Sequence, residues 1–335
     1  MKFHHFLPLA AVTVLIGCST HPAESDLNDT LPKLTLQQVL PAATANEYCN
    51  STTDSDIAYG VGYNLYNEDK LQEAKSCLIM AAPKHDRAFC YLSMIAEQEH
   101  SRNTIDRNTE AFNYLAYSAS RNDWCAEYGM YQNFTEGRRG TTPDQALGER
   151  WLERSAKHGY PDAQQTLAMH YTSRGDLASS YAWVKIMSIG DDPSNAQTLK
   201  ERMTPEQVAQ GDKLFVELRK VVASKQALYE EARVEEAVIF AADIHTESPD
   251  TFKGMSPEAR QNFVRTTIAT ARERELFKKR GAVSNYVIVA WHAQQQYPSV
   301  DIAQNKQIVT VLNNLDLSAD ETVTQSLAIL KKTYP

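Results

Sequence analysis

The chain has 335 residues, of which 42% are hydrophobic, and its 34 Lys and Arg residues are outnumbered by 42 Asp and Glu residues. The formal net charge is −8, and no extended run of basic residues occurs. This composition lacks the basic footprint of a nucleic-acid-binding protein, so we expect an acidic, solvated surface and no nucleic-acid partner.

The first 17 residues have the features of a targeting segment. Lys2 precedes an apolar run from Phe6 to Ile16, and these 11 residues are too few to span a bilayer as a helix. The run ends in Leu-Ile-Gly-Cys18, which resembles the lipobox of bacterial lipoproteins. We therefore expect residues 1–17 to be a lipoprotein signal peptide.

The lipobox resemblance implies a membrane anchor. It implies that diacylglycerol is joined to the Cys18 thiol, that the chain is cut before Cys18, and that the new amine is acylated. Several acyl chains on one residue give stable membrane attachment. Ser19 stands where Asp would retain a lipoprotein in the inner membrane, so we expect an anchor in the outer membrane, with the protein facing the periplasm.

Residues 18–45 are predicted to be the lipidated Cys and a flexible tether. The segment is rich in Ser, Thr, Asp and Asn, and Pro22, Pro32 and Pro41 break any helix. The 27 residues after Cys18 could reach about 90 Å when fully extended.

Small residues then recur at regular intervals. Ala58, Ala88, Ala126 and Ala163 have spacings of 30, 38 and 37 residues. A second set, Ala81, Ala119, Ala156 and Ser188, follows them, and its first three members lie seven residues before the next member of the first set. Two helices approach closely only where the facing side chains are small. The pattern therefore predicts consecutive helix pairs that pack on one another.

Two further features accompany the small residues. Five residues before each member of the second set come Ser76, Tyr114, Trp151 and Trp183, which supply buried area in three of the four units. Gly137, Gly159, Gly175 and Gly190 follow the predicted helices, where a C-cap requires the left-handed conformation.

Together these residues resemble the SEL-like repeat, a relative of the tetratricopeptide repeat, over roughly residues 56–200. In unit three the matching residues are Ala126, Phe134, Gly137, Asp144, Gly148, Trp151, Ser155, Ala156 and Gly159. In unit four they are Ala163, Leu167, Ala168, Tyr171, Gly175, Tyr181, Ala182, Trp183 and Gly190. Unit two matches at Ala88, Ala96, Ala111, Tyr114 and Ala119, and unit one departs at Ser76 and Pro83. The resemblance implies an α-solenoid of about four hairpins, and the alternative is an irregular helical bundle.

The rest of the chain is also predicted to be helical. A capping box from Thr204 to Gln207 opens a helix towards Val222, which we take as the solenoid's cap, so the repeat region spans residues 46–222. Residues 226–335 are predicted to form a smaller all-helical C-terminal domain, in which Ser318 opens the last helix. The apolar run from Val283 to Gln296 is too short for a membrane span and predicts a buried helix. The expected fold class is all-α.

Four cysteines remain after Cys18, namely Cys49, Cys77, Cys90 and Cys125. An even number in an exported protein predicts two disulfides, with free buried thiols as the alternative. Three pairings are possible. Cys77 and Cys90 lie about equally far from the turn at Pro83–Asp86, so our hypothesis pairs them and leaves Cys49 for Cys125.

The sequence contains no catalytic motif. His-Glu-x-x-His, Gly-x-Ser-x-Gly and phosphate-binding Gly-rich loops are missing, so we expect no enzyme, cofactor or metal. A metal role can be imagined for His158, but its position at a helix terminus explains it more simply. An acid–base role can be imagined for Glu235-Glu236 with His245, but an exposed helix face explains them more simply. Some cysteine-rich SEL-like proteins are linked to β-lactams, yet no Ser here has Lys three residues later, as the serine β-lactamase motif requires.

The favoured hypothesis is a non-enzymatic adaptor that binds an unidentified envelope protein or peptide in a groove lined by the first helices. The candidate groove residues, each of which could also serve repeat packing, are Tyr59, Tyr63, Tyr91, Glu97, Tyr128, Tyr131, Gln164 and His170. The alternatives are an envelope protein that binds or hydrolyses peptidoglycan or β-lactams, and a purely structural envelope protein.

Overall fold

The computed structural model describes residues 25–190, 193–274, 277 and 279–334. Cys18 and the signal peptide lie outside the described residues. Within the described ranges all regular structure is helical and no strand occurs, as the sequence predicted. The α-helices are α1 (Ser25–Asn28), α2 (Leu36–Val39), α3 (Ser55–Asn67), α4 (Leu71–Ala81), α5 (Arg87–Gln98), α6 (Thr104–Ala119), α7 (Trp124–Glu136), α8 (Gln145–Lys157), α9 (Pro161–Ser173), α10 (Leu177–Met187), α11 (Ser194–Lys200), α12 (Pro205–Val221), α13 (Lys225–Glu247), α14 (Pro257–Glu273), α15 (Arg280–Gln296), α16 (Lys306–Leu312) and α17 (Ala319–Thr333).

Local sequence signals explain where many of these helices begin and end. Side chains of Asp and Asn accept backbone N–H groups at the start of α3, α6, α7, α8 and α10. The predicted capping boxes at Thr204 and Ser318 are both present. The left-handed conformation predicted at the helix ends is confirmed at Gly137, Gly159, Gly175 and Gly190, with φ values of +69°, +100°, +76° and +79°.

Consecutive helices from α3 to α10 pack in pairs. The pairs are α3 with α4, α5 with α6, α7 with α8 and α9 with α10, and each pair contacts the next through its second helix. The Ala that opens each pair is fully buried, at Ala58, Ala88, Ala126 and Ala163. Ala119 and Ala156 of the second helices are likewise buried, beside Tyr114, Trp151 and Trp183. The small residues thus lie where neighbouring helices approach most closely.

The segment before α3 is packed on the helix pairs rather than free. Leu27 and Leu31 are each 4% exposed and join the same buried cluster as Trp151. The Asn28 Oδ1 accepts a hydrogen bond of 2.7 Å from Arg154 of α8. Within the segment expected to be a flexible tether, residues 18–45, the apolar side chains of Leu27, Leu31 and Val39 are therefore buried, whereas residues 41–45 are exposed.

Helix α13 runs from the end of α8 to the first helix pair. Before its first turn, the Ala223 N–H donates to the Lys157 carbonyl of α8 at 2.8 Å. Near its other end α13 packs along α3, where a Cβ added to Gly60 would lie 2.5 Å from the Ala242 Cβ. Glycine at this position is what allows the two helices to lie so close.

One buried core contains residues from both sides of the boundary that was expected between residues 46–222 and 226–335. Ala237, Phe240 and Ile244 of α13 belong to the same buried cluster as Ala58 and Leu92 of the first two pairs. A separate buried cluster lies further along the chain, between α15, α16 and α17. The apolar run in α15 is buried as predicted, and no described helix is long and apolar enough to cross a membrane.

Two disulfides are present, but their pairing differs from our hypothesis. Cys49 is joined to Cys77, and Cys90 is joined to Cys125, with Cα–Cα distances of 5.5 and 6.2 Å. The pairing of Cys77 with Cys90 is wrong because the two side chains face different neighbours. The Cys77 side chain faces the segment before α3, and that of Cys90 faces α7.

The close approach of α3 and α13 predicts an energetic coupling between Gly60 and Ala242. Gly60→Ala should lower the free energy of unfolding by about 1–3 kcal/mol, because the new methyl group overlaps Ala242. Ala242→Gly removes that overlap, so the double variant should lose less stability than the sum of the two single variants. Urea denaturation measures all four proteins. Gly281→Ala, whose added Cβ meets Leu315 Cδ2 at 3.3 Å, is the control, and strictly additive effects would contradict the contact.

The disulfide pairing is checked by peptide mapping of the unreduced protein, which should find Cys49 linked to Cys77 and Cys90 linked to Cys125. Replacing Cys90 and Cys125 together with Ala should lower the free energy of unfolding by about 2–4 kcal/mol, because the unfolded chain gains conformational entropy when this crosslink is absent. A fragment that joins Cys77 to Cys90 would restore the original hypothesis.

Candidate interaction site

The predicted groove residues all lie on the first helices of the pairs. Tyr59 and Tyr63 are on α3, Tyr91 and Glu97 on α5, Tyr128 and Tyr131 on α7, and Gln164 and His170 on α9. The structure divides their aromatic members into two clusters rather than one continuous row.

The first aromatic cluster consists of Tyr59, Tyr63, Tyr66, His85 and Tyr91. The Tyr91 ring lies 5.6 Å from that of Tyr63 and 5.3 Å from that of Tyr66, and the Tyr59 ring stacks on His85 at 4.7 Å. Helix α13 contacts this cluster at Tyr59, whose side chain is only 2% exposed and whose hydroxyl donates to Glu235 Oε1 at 2.5 Å. The other members of the cluster remain partly exposed. Burial, reinforced by the Glu235 charge, raises the pKa of the Tyr59 phenol far above its ordinary range.

The second aromatic cluster consists of Trp124, Tyr128, Tyr131, Tyr160 and His170. Tyr160 stacks on Trp124 at 4.6 Å, and its ring lies 5.1 Å from that of Tyr128. The Tyr131 and His170 rings are 6.0 Å apart. Burial, followed by the nearby Asp162 carboxylate, raises the pKa of Tyr160 to about 12. This cluster remains partly open to solvent.

The two polar residues of the predicted groove serve internal contacts. The Glu97 carboxylate pairs with Arg138 at 3.1 Å and also with Arg139. The Gln164 Nε2 donates to the Ala156 carbonyl at 3.0 Å, and Gln164 is only 7% exposed. Both residues hold the helices together and have little capacity left for a partner.

A cleft of about 490 Å³ lies between α13 and the turns that lead into α5 and α7. We call it the turn cleft. Its lining residues are Tyr59, Lys84, His85, Asp86, Arg87, Arg121, Asn122, Asp123, Trp124, His158, Ala223, Glu231, Val234, Glu235, Val238 and Gln261. Cavities of this size suit small ligands. This cleft could not be predicted from the sequence, because the α13 residues that line it, from Glu231 onward, are far in the chain from those of the turns before α5 and α7.

Arg87 connects the two walls of the turn cleft. Its Nε donates to Asp123 Oδ2 at 2.5 Å, and its guanidinium lies 3.4 Å from the Trp124 ring centre. The terminal nitrogen reaches Glu231 of α13 at 3.4 Å, which is long for a hydrogen bond. Since Tyr160 covers the opposite face of Trp124, the indole is held between a cation and a phenol.

A buried charge group lies behind the cleft. The Glu127 carboxylate is fully buried and lies 2.8 Å from both Arg154 Nε and His158 Nδ1. Burial raises the pKa of the Glu127 carboxyl, and the neighbouring cations oppose that shift. From the sequence, His158 was interpreted as a helix-terminal residue, with a metal role as the less simple alternative. Its contact with Glu127, 31 residues away, leaves no signal in a single sequence.

Glu235, Glu236 and His245, which were considered for an acid–base role, do not form one group. Glu235 contacts Tyr59, whereas Glu236 pairs with Arg272 at 2.7 Å. Among the described residues, one cluster contains three side chains of metal-ligand type, namely Cys90, Asp123 and Cys125. Both of those cysteines are in the disulfide, and the Asp123 carboxylate is paired with Arg87.

No family model, curated protein or solved structure is found to match this chain.

The Asp56 carboxylate beside the first aromatic cluster predicts a pH-dependent stability. A hydrogen bond from His85, at 3.0 Å, and the nearby Arg260 lower the pKa of Asp56 from its ordinary value of 3.8. Because the folded-state pKa is depressed, this stabilisation is complete above the ordinary value and is lost as pH falls through the folded-state pKa.

Asp56→Asn should therefore lower the free energy of unfolding by about 1–3 kcal/mol near neutral pH. The difference from the natural protein should shrink as pH falls below 3.8. Urea denaturation at several pH values measures it, with Asp250→Asn in an exposed pair as the control. A difference that stays constant over the acidic range would contradict the assignment.

Proposed function

We propose that this protein is a lipid-anchored helical-repeat scaffold of the bacterial cell envelope that binds a protein or peptide partner. The observation that carries the proposal is the succession of four stacked helix pairs, each opened by a buried Ala, with aromatic side chains along the first helices. Repeat proteins use stacked pairs of this kind as an extended binding surface. The resemblance to SEL-like repeats supports the same solenoid architecture.

The second aromatic cluster is the part of this surface that we assign to the partner. The Tyr128 hydroxyl lies 3.3 Å from the Thr166 hydroxyl of α9, and Met169, one turn further along α9, is 62% exposed. An exposed Met beside partly open Tyr rings is typical of an adaptable protein-binding surface. We favour the second aromatic cluster over the first because Met169 is exposed, whereas Tyr59 of the first cluster is buried and its hydroxyl is engaged by Glu235 of α13.

The proposed anchor would hold the helix pairs close to the membrane. Between Cys18 and the packed Leu27 the chain advances nine residues (27 − 18), which span about 30 Å at most. The lipobox and Ser19 support attachment to the outer membrane on the periplasmic side.

A second candidate function is the binding or hydrolysis of peptidoglycan or a β-lactam. The observation in its favour is the turn cleft, whose volume and mixture of apolar and charged side chains suit a small polar molecule.

The scaffold proposal predicts one recurrent envelope partner in crosslinking experiments on living cells. The full chain would be crosslinked, solubilised in detergent and purified, and its partners identified by mass spectrometry. Met169→Asp should abolish the crosslink by placing a charge on the binding surface. Cys18→Ser should reduce it by releasing the chain from the membrane.

Ile105→Asp is the matched control, because Ile105 is 74% exposed but lies on α6, a second helix. It should leave the crosslink unchanged. Recovery of the partner with Met169→Asp would refute the assigned surface. The lack of any partner would favour the second candidate, which nitrocefin turnover and retention on purified sacculi would then test.

A further inference from the structure

The turn cleft has one wall that carries cationic groups with unused capacity. Arg87 and Arg121 each engage an Asp through Nε, at 2.5 Å, and a terminal nitrogen of Arg87 also has the long contact of 3.4 Å to Glu231. The terminal nitrogens of Arg121 form no hydrogen bond within the described part of the chain. Lys84 is exposed and forms no ion pair with any described residue. This wall can therefore receive a carboxylate.

The opposite wall, on α13, carries carboxylates. Glu231 and Glu235 are four residues apart and so lie on the same helix face. Glu231 is 54% exposed and has only the long contact to Arg87, and Glu235 uses Oε1 for the Tyr59 hydroxyl. The remaining carboxylate oxygens can receive an ammonium group. Val234 and Val238 lie on the same stretch of α13 and give this wall an apolar surface.

Asp86 and Asp123 also line the first wall, where they pair with Arg121 and Arg87, so the unpaired charge of that wall is on Lys84. The difference in charge between the two walls restricts the ligands that fit. A purely anionic ligand would face the two Glu carboxylates, and a purely cationic one would face Lys84 and Arg121. A zwitterion satisfies both walls at once, and an apolar side chain would contact the valines. A volume of about 490 Å³ is sufficient for two or three amino-acid residues.

We propose that the turn cleft binds a short zwitterionic peptide with apolar side chains. Its carboxylate lies against Lys84, Arg87 and Arg121, and its amino group lies against Glu231 and Glu235. The proposal does not depend on the lipid anchor or on the partner surface at Met169, so it can hold or fail separately from the scaffold function.

Isothermal titration calorimetry on the full chain in detergent tests the proposal with the dipeptide Leu-Leu as the probe. Leu-Leu should bind, and both N-acetyl-Leu-Leu and Leu-Leu amide should bind roughly ten-fold or more weakly, because each lacks one charged group. No binding at millimolar concentration would overturn the proposal. Equal affinity of either blocked form would also overturn it, since the ligand would then not be recognised as a zwitterion.

Two variants locate the site. Glu231→Gln should weaken Leu-Leu binding several-fold, while Glu230→Gln, the neighbouring residue outside the cleft, should not. Lys84→Gln should likewise weaken binding, with Lys253→Gln on a distant loop as its control. Glu231, Lys84 and Lys253 are exposed and Glu230 is half-buried, so folding should be preserved, and thermal denaturation checks it. Unchanged affinity in both Glu231→Gln and Lys84→Gln would place the ligand elsewhere and refute the site.

Discussion

The contact between α3 and α13 is the constraint on which the rest of the molecule depends. Gly60 has no side chain, and Ala242 and the Val238 backbone occupy the space beside it. Two polar contacts accompany this approach, from Tyr59 to Glu235 and from Asn64 to Asp243, each at 2.5 Å. If α3 and α13 separated, the first helix pair would expose its apolar face and the turn cleft would lose one wall.

Buried ion pairs fix the arrangement of the remaining elements. Arg154 is 3% exposed, and besides Glu127 of α7 it reaches the Ala119 carbonyl at the end of α6 and Asn28 in the N-terminal segment. Removing such charges from water is costly, and close counter-charges and hydrogen bonds offset that cost. Both terminal nitrogens of Arg154 donate hydrogen bonds, whereas its Nε lies 2.8 Å from Glu127 without forming one. The group therefore favours one arrangement of three chain segments, and misplacing any of them would leave a buried charge unpaired.

The sequence predicted the features that depend on near neighbours. The Ala spacing and the glycines at the helix ends reflect packing and backbone conformation within one or two helices, so Ala126 and Gly137 could be interpreted without a structure. The packing of helix α13 could not be predicted in this way. Its pattern of apolar residues predicts a helix but does not identify the surface that it covers. Glu235 was interpreted as part of an exposed face, whereas it contacts Tyr59, 176 residues away.

The disulfide pairing also could not be predicted from the sequence. Two residues that lie equally far along the chain from a turn come into contact only if their side chains point toward one another. The rotation of each helix about its axis decides where its side chains point. Cys77 and Cys90 flank one turn, but Cys77 faces Cys49 in the segment before α3 and Cys90 faces Cys125 of α7. Leu27 and Leu31 were missed because isolated apolar residues in a polar segment resemble a linker until their docking surface on α6 and α8 is known.

The position of the N-terminal segment constrains how an anchored molecule would be oriented. Asn28, next to Leu27, contacts the Ser120 carbonyl at the end of α6 and Arg154 of α8, both in second helices, whereas the second aromatic cluster lies mainly on the first helices. First and second helices form the two faces of a stack of pairs. Under the proposed lipid attachment, the short connection from Cys18 would hold the face of second helices towards the membrane. The first helices, with Tyr128 and Met169, would then face the periplasm, where an envelope partner could reach them.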